Sequence, residues 1–120
     1  MEIKIERIYE HQPTPGYRVL VDRLWPRGIS KITAKLDDWA KEIAPSKELR
    51  TWFNHDPEKF AKFSDRYITE LTENEKTSDF ISLVSEHLKN QNVIFLYGAK
   101  DVEHNQAVVL KRFVENQLNA

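Results

Sequence analysis

Three segments of the chain carry the alternation or continuity expected of strands, and the rest of its apolar positions fall at helical spacing. Ile3, Ile5 and Ile8 stand among Glu2, Lys4, Glu6 and Arg7, a period-two pattern that predicts a half-buried strand. The prolines and glycine of His11-Gln12-Pro13-Thr14-Pro15-Gly16 predict a loop after it. Tyr17-Arg18-Val19-Leu20-Val21 and Val93-Ile94-Phe95-Leu96-Tyr97 are near-continuous β-branched and aromatic runs, the signature of strands buried on both faces.

Between these runs the spacing changes to that of helices. Leu36, Trp39, Ala40 and Ile43 predict a helix that ends at Ala44-Pro45, because a proline disfavours helical geometry in the residue before it. Ser46 is placed to cap a short helix carrying Leu49, Trp52 and Phe53. Pro57 suits a first helical turn, and Phe60, Phe63, Tyr67, Ile68 and Leu71 form one stripe of a longer helix behind it. Phe80, Leu83, Val84, His87 and Leu88 outline another, and Ala107, Leu110, Phe113, Val114 and Leu118 a closing one, for which Asp101 is the expected N-cap. Helices intervene between the two buried strands, so these are expected to run parallel through a crossover. The predicted architecture is α/β: a small, mainly parallel sheet of about three strands covered by about five helices. The direction of the first strand stays open, since its loop is short for a crossover and long for a tight hairpin.

Composition narrows this picture. At 120 residues, with 40% hydrophobic and 11% aromatic side chains, the chain is expected to form one domain over residues 1–120 with a real core. Eighteen basic residues against nineteen acidic ones leave a formal charge of −1, which argues against global capture of nucleic acid and leaves only a local basic patch for it. The absence of cysteine excludes disulfides, a thiolate nucleophile and cysteine-ligated metals. No window has the length of a membrane span and the first residues lack the apolar core of a signal peptide, so a cytoplasmic location and no membrane partner are expected.

Candidate chemistry follows from where parallel strands end. Ligands bind such sheets beyond the carboxyl ends of the strands. The first buried run leads directly into Asp22-Arg23-Leu24-Trp25-Pro26-Arg27-Gly28, and the second into Gly98-Ala99-Lys100-Asp101 with His104 and Asn105 close behind. If the strands are neighbours, these distant segments meet at one edge. Arg23 and Arg27 offer planar forks for phosphate or carboxylate, and the start of the closing helix adds backbone donors and a dipole that favours an anion. The expected ligand is therefore an anionic small molecule or a nucleic-acid end. Alternatively, Asp22 pairs with one arginine to pin the turn while the other lies solvated. Trp25 could stack on a base or sugar, although a Trp before Pro more often packs. His104, Asp22 and Asp101 are the candidates for proton handling, against the plain capping role of Asp101. Arg50 and His55 flank the Trp52-Phe53 pair and are further candidates for ligand contact, as is Asn105. His55-Asp56 with Asp101 and His104 has no established ligand spacing, so no metal or other cofactor is expected. His11 and His87 are read as structural. A non-enzymatic interaction module using Trp25, Trp52 and the basic residues is the alternative to a ligand site.

The segment Gly16 to Gly28, then Ala44-Pro45-Ser46 with Leu49-Arg50 and Trp52-Phe53, His55-Asp56-Pro57, and finally His104-Asn105 with Ala107 and Leu110, closely resembles the YeaO-like branch of the domain-of-unknown-function 488 family. The likeness runs in order over nearly the whole chain. It implies a small bacterial or archaeal cytoplasmic α/β protein and no established activity. Other branches are similar in a strand ending in Asp-x-Arg but carry Cys and His-Arg after their late strand. Here that segment reads Gly98-Ala99-Lys100-Asp101, so the resemblance brings no thiol chemistry with it.

Overall fold

The computed structural model describes residues 1–120 throughout. Strand β1 (Ile3–Arg7), β2 (Tyr17–Leu20), β3 (Asp38–Trp39) and β4 (Val93–Tyr97) form one sheet in the order β1-β4-β2-β3. Every neighbouring pair is parallel, which settles the direction of the first strand. Five helices accompany them: α1 (Lys31–Ala34), α2 (Lys47–Phe53), α3 (Phe60–Glu73), α4 (Thr77–Leu88) and α5 (Gln106–Leu118). None is long and apolar enough to cross a membrane.

The period of two decides how the sheet is covered. Val19, Val21, Val93, Phe95 and Tyr97 point to the face packed by Phe63, Tyr67, Leu71, Val84 and Leu110 from the long helices. The alternate residues Leu20, Ile94 and Leu96 meet Ile8, Ala34, Trp25 and Trp39 on the other face. With both faces covered, the central strands β4 and β2 must be apolar throughout, as they are apart from Arg18. Arg18 is buried with Glu6, its Nη1 lying 3.0 Å from the Glu6 carboxylate and 3.1 Å from the carbonyl of Thr14. Hydrogen bonds from Thr14 and Arg18 outweigh burial and hold the Glu6 carboxyl below its usual range, so the pair straps the loop after β1 to the start of β2.

Two expectations are corrected. The helix read from Leu36, Trp39, Ala40 and Ile43 is instead the short edge strand β3 followed by a 3₁₀ turn at Lys41–Ile43. The outer edge of β2 supplies the reason. Asp37 N–H donates to the Arg18 carbonyl at 2.8 Å, the Asp37 carboxylate accepts the Arg18 N–H at 2.8 Å, and Ala40 N–H donates to Leu20. These bonds satisfy backbone that a helix there would leave bare. Trp39 then faces the α1 side while Ala40 and Ile43 face the main core, an alternation that helical spacing happened to mimic. Four strands result rather than about three. The second correction concerns α5, whose N-cap is Asn105: its Oδ1 accepts from Ala107 and Val108 at 2.9 and 3.2 Å. Asp101 caps only the turn before it, accepting from the N–H groups of Glu103 and His104.

At Gly16 the chain passes so close to β4 that a Cβ would lie 2.5 Å from the carbonyl oxygen of Asn92, with φ at +151°. Gly16→Ala is therefore expected to cost about 3 kcal/mol through combined strain and overlap, measured as a fall in urea midpoint at unchanged slope.

Candidate functional site

Because β2 and β4 are parallel neighbours, the segments that follow them emerge at the same edge of the sheet. A cleft of about 660 Å³ opens there. Its walls come from Tyr9 after β1, the stretch from Asp22 to Arg27 after β2, the stretch from Gly98 to Asp101 after β4, the first residues of α5, and Arg50, Phe53 and His55 in and beyond α2.

Asp22 sits within this edge as its organising group. One carboxylate oxygen accepts the N–H of Gly98 at 2.8 Å, the other accepts the side-chain amide of Gln106, and its carbonyl accepts the indole N–H of Trp39 at 2.7 Å. Asp22 thus joins the ends of β2 and β4 to the start of α5. Burial pushes its carboxyl up to about 6, although the bonds from Gly98 and Gln106 and the charge of Arg50 pull in the opposite direction. The expected alternative of an Asp22–arginine pair is absent: neither Arg23 nor Arg27 forms an ion pair with it. Arg23 instead donates from Nε to the Pro45 carbonyl at 2.8 Å and from Nη2 to the Ala44 carbonyl at 3.2 Å, with its Nη1 group uncommitted. It ties the β2 turn to the segment that starts α2.

The other candidates separate into those brought together and those not. Arg27 and Arg50 are exposed on the cleft, as are Lys100 and His55. The four cations Arg23, Arg27, Arg50 and Lys100 therefore share one cleft, and none of them is ion-paired. His55 has a left-handed backbone, φ +56°, directly after the left-handed Asn54 that closes α2. Trp25 is fixed by packing, as its position before Pro26 suggests: its N–H donates to the Ile29 carbonyl at 2.7 Å and its ring meets Trp39 edge-on at 5.3 Å. One side of the indole still lines the cleft. Asp101 lies at the cleft margin with His104 Nδ1 2.9 Å from its carboxylate. Backbone bonds, first that from Glu103, hold its carboxyl below the ordinary range. His104 itself is turned away from the cleft lining and meets the edge of Phe60 at 5.2 Å. Asn105 is buried beneath the cleft, where its oxygen caps α5 and its amide donates to the Asp101 carbonyl at 2.9 Å. That cap consumes two of the helix N–H groups expected to face an anion.

Sequence reading missed several residues of this edge. Gln106 gives no signal by itself, since its role depends on Asp22 lying opposite. Arg7 reads as an ordinary polar strand position, yet its Nε donates to the Ala99 carbonyl at 2.9 Å and its guanidinium lies 5.0 Å from the Tyr9 ring centre. It holds the turn after β4 in place. Tyr9 in turn donates to the Arg27 carbonyl at 2.9 Å. No group of three or more His, Asp or Glu side chains is arranged to hold a metal ion.

Comparison with known proteins places these residues in a lineage. The family model described as "Inactive DUF488-N3 subclade" matches residues 2–120. The chain is 41% identical over 111 residues to the uncharacterised protein YeaO of Escherichia coli, covering 92% of this chain and 94% of that one. It is 35% identical over 116 residues to uncharacterised proteins of Mycobacterium tuberculosis and Mycobacterium bovis, covering 96% of this chain and 95% of theirs. No solved structure matches it significantly.

Proposed function

The chain belongs to the domain-of-unknown-function 488 family, in the subclade described as inactive, and on that footing we propose that it binds a phosphate-bearing anion at the carboxyl edge of its sheet, in the cytoplasm, without turning it over. The observation that carries this reading is the set of four cations, Arg23, Arg27, Arg50 and Lys100, lining one cleft with no ion-pair partner. Unpaired cations held around a concave surface concentrate anions, and guanidinium forks match phosphate oxygens. Of the two carboxylates present, Asp101 is already engaged by His104 and its own turn, and Asp22 by Gly98 and Gln106.

The same geometry supports binding over hydrolysis or transfer. General acid–base work needs a titrating group free to reach the proton it moves. Each oxygen of Asp22 already accepts a hydrogen bond that ties it to the fold, and His104 faces Phe60. The description of the subclade as inactive agrees with that arrangement. Trp25 and Trp52 do not form a free interaction surface. Trp25 is packed against Trp39, and Lys59 and Arg66 lie over Trp52 at 5.2 and 4.3 Å.

Arg27→Ala with Arg50→Ala is expected to raise about tenfold or more the concentration of inorganic phosphate, pyrophosphate or phosphate ester needed for a given thermal shift. Both side chains are exposed, so the melting temperature without ligand should move little. An undiminished response in the double variant would sink the proposal.

A further inference from the structure

Resting on the anion site just described, we propose that its ligand is a nucleotide: a phosphate ester carrying a flat ring, with the phosphate against the cations and the ring against the aromatic walls. Most of the surface exposed by the cleft is carbon, not charge. At about 660 Å³ it has the size of sites that enclose a ligand of several fused or linked rings, and a lone phosphate would leave most of it to water.

The apolar surface is also built in advance. Trp25 cannot swing, because its N–H is held by Ile29 and its ring by Trp39. Tyr9 is fixed at its hydroxyl by Arg27 and on its ring by Arg7. Beneath them Phe53 and Phe63, stacked with ring centres 4.1 Å apart and both buried, form a rigid floor and leave the open ring faces to Trp25 and Tyr9. Rings immobilised before a ligand arrives give up no rotamer entropy on binding, which is what a stacking platform requires. Gly98 leaves room beside Asp22, since a Cβ there would press on Asp22 Oδ2 at 3.0 Å. On the polar side, the uncommitted Nη1 of Arg23 and the free guanidinium of Arg50 supply the phosphate contacts. Guanidinium groups beside a ring also stack on its face.

Calorimetry on the full chain separates the two halves of the ligand. The four ribonucleoside 5′-monophosphates are titrated alongside ribose 5-phosphate, inorganic phosphate and the parent nucleosides. The expected result is that at least one nucleotide binds about tenfold or more tightly than ribose 5-phosphate and phosphate, the margin that stacking supplies, and equally more tightly than its nucleoside. If ribose 5-phosphate or phosphate binds within tenfold of every nucleotide, the ring assignment is overturned while the anion site stands. If a nucleoside binds as tightly as its nucleotide, or nothing binds, the anion reading fails and this inference fails with it.

Discussion

Asp22→Asn is expected to stabilise the folded chain by up to about 3 kcal/mol near pH 7.5, the equivalent of roughly two pKa units. The carboxyl rises from an ordinary 3.8 to about 6 on folding, with burial as the first cause. A group whose folded pKa is raised binds its proton more tightly in the folded state, so stability falls as pH rises between the two values. Asp22 therefore costs nothing below about pH 4, costs progressively more from about pH 4 to pH 6, and costs its full amount above that. Asparagine keeps the geometry at no charge: its oxygen accepts from Gly98, and its amide meets Gln106 once the glutamine amide is flipped. Urea unfolding of wild type and variant near pH 7.5 and again near pH 4 checks this. The two should differ at the higher pH and converge at the lower. A variant that is less stable near pH 7.5 would mean that the two accepted bonds outweigh the burial of the charge. The comparison between variant and wild type matters, because Glu6 and Asp101 have lowered pKa values and make stability fall with acid in both chains.

The same substitution bears on the proposed ligand. An ionised Asp22 is a repulsive charge for an anion in this cleft, beside that of Asp101. Because pyrophosphate itself gains a proton near pH 6, the readout is the ratio of variant to wild-type affinity at each pH, expected to be roughly fivefold above about pH 6, as for removing one like charge at partly screened range. That ratio should approach one near pH 4, where Asp22 is protonated in the wild type.

What could be read beforehand divides along physical lines. The runs Tyr17 to Val21 and Val93 to Tyr97 were legible because a strand covered on both faces tolerates little but apolar side chains. Ser46 was legible as a cap because its hydroxyl needs only the N–H of Leu49, three residues away. The parallel direction of β1 was not, since a loop of that length fits more than one connection. The β3 segment is not legible, because Leu36, Trp39, Ala40 and Ile43 satisfy helical spacing while the bond pattern that decides the matter belongs to β2. In the site, residue types announced a cationic edge, but partners did not follow from type. Asp22 and Arg23 are adjacent and opposite in charge, yet each is taken by groups remote in sequence, Gly98 and Gln106 for one and Ala44 and Pro45 for the other. Likewise Asp101 and Asn105 are both good capping residues, and only the path of the turn after β4 chooses Asn105.

Arg23→Ala should show that the arginines of this cleft are not equivalent. Removing the guanidinium leaves the carbonyls of Ala44 and Pro45, both buried residues, without the donor that Arg23 supplies. Two bonds to a charged donor are lost, so the expected destabilisation is about 3 kcal/mol, reduced to the extent that water reaches the partly buried site. Arg23→Lys keeps the charge but not the fork and should recover less than half of that. Arg50→Ala, on an exposed side chain, should stay within about 0.5 kcal/mol of wild type. Denaturant midpoints at constant slope make the comparison, and a neutral Arg23→Ala would remove Arg23 from the structural role given to it. The consequence extends to binding. The start of α2 is held from one side by Glu70, which accepts from Ser46 N–H and Oγ at 2.8 and 2.6 Å, and from the other by Arg23 on the two preceding carbonyls. Arg50 rides on that helix. Loss of Arg23 should therefore weaken the anion response twice, by removing its own Nη1 contact and by loosening the helix that presents Arg50. Loss of Arg50 removes one contact from an otherwise intact cleft.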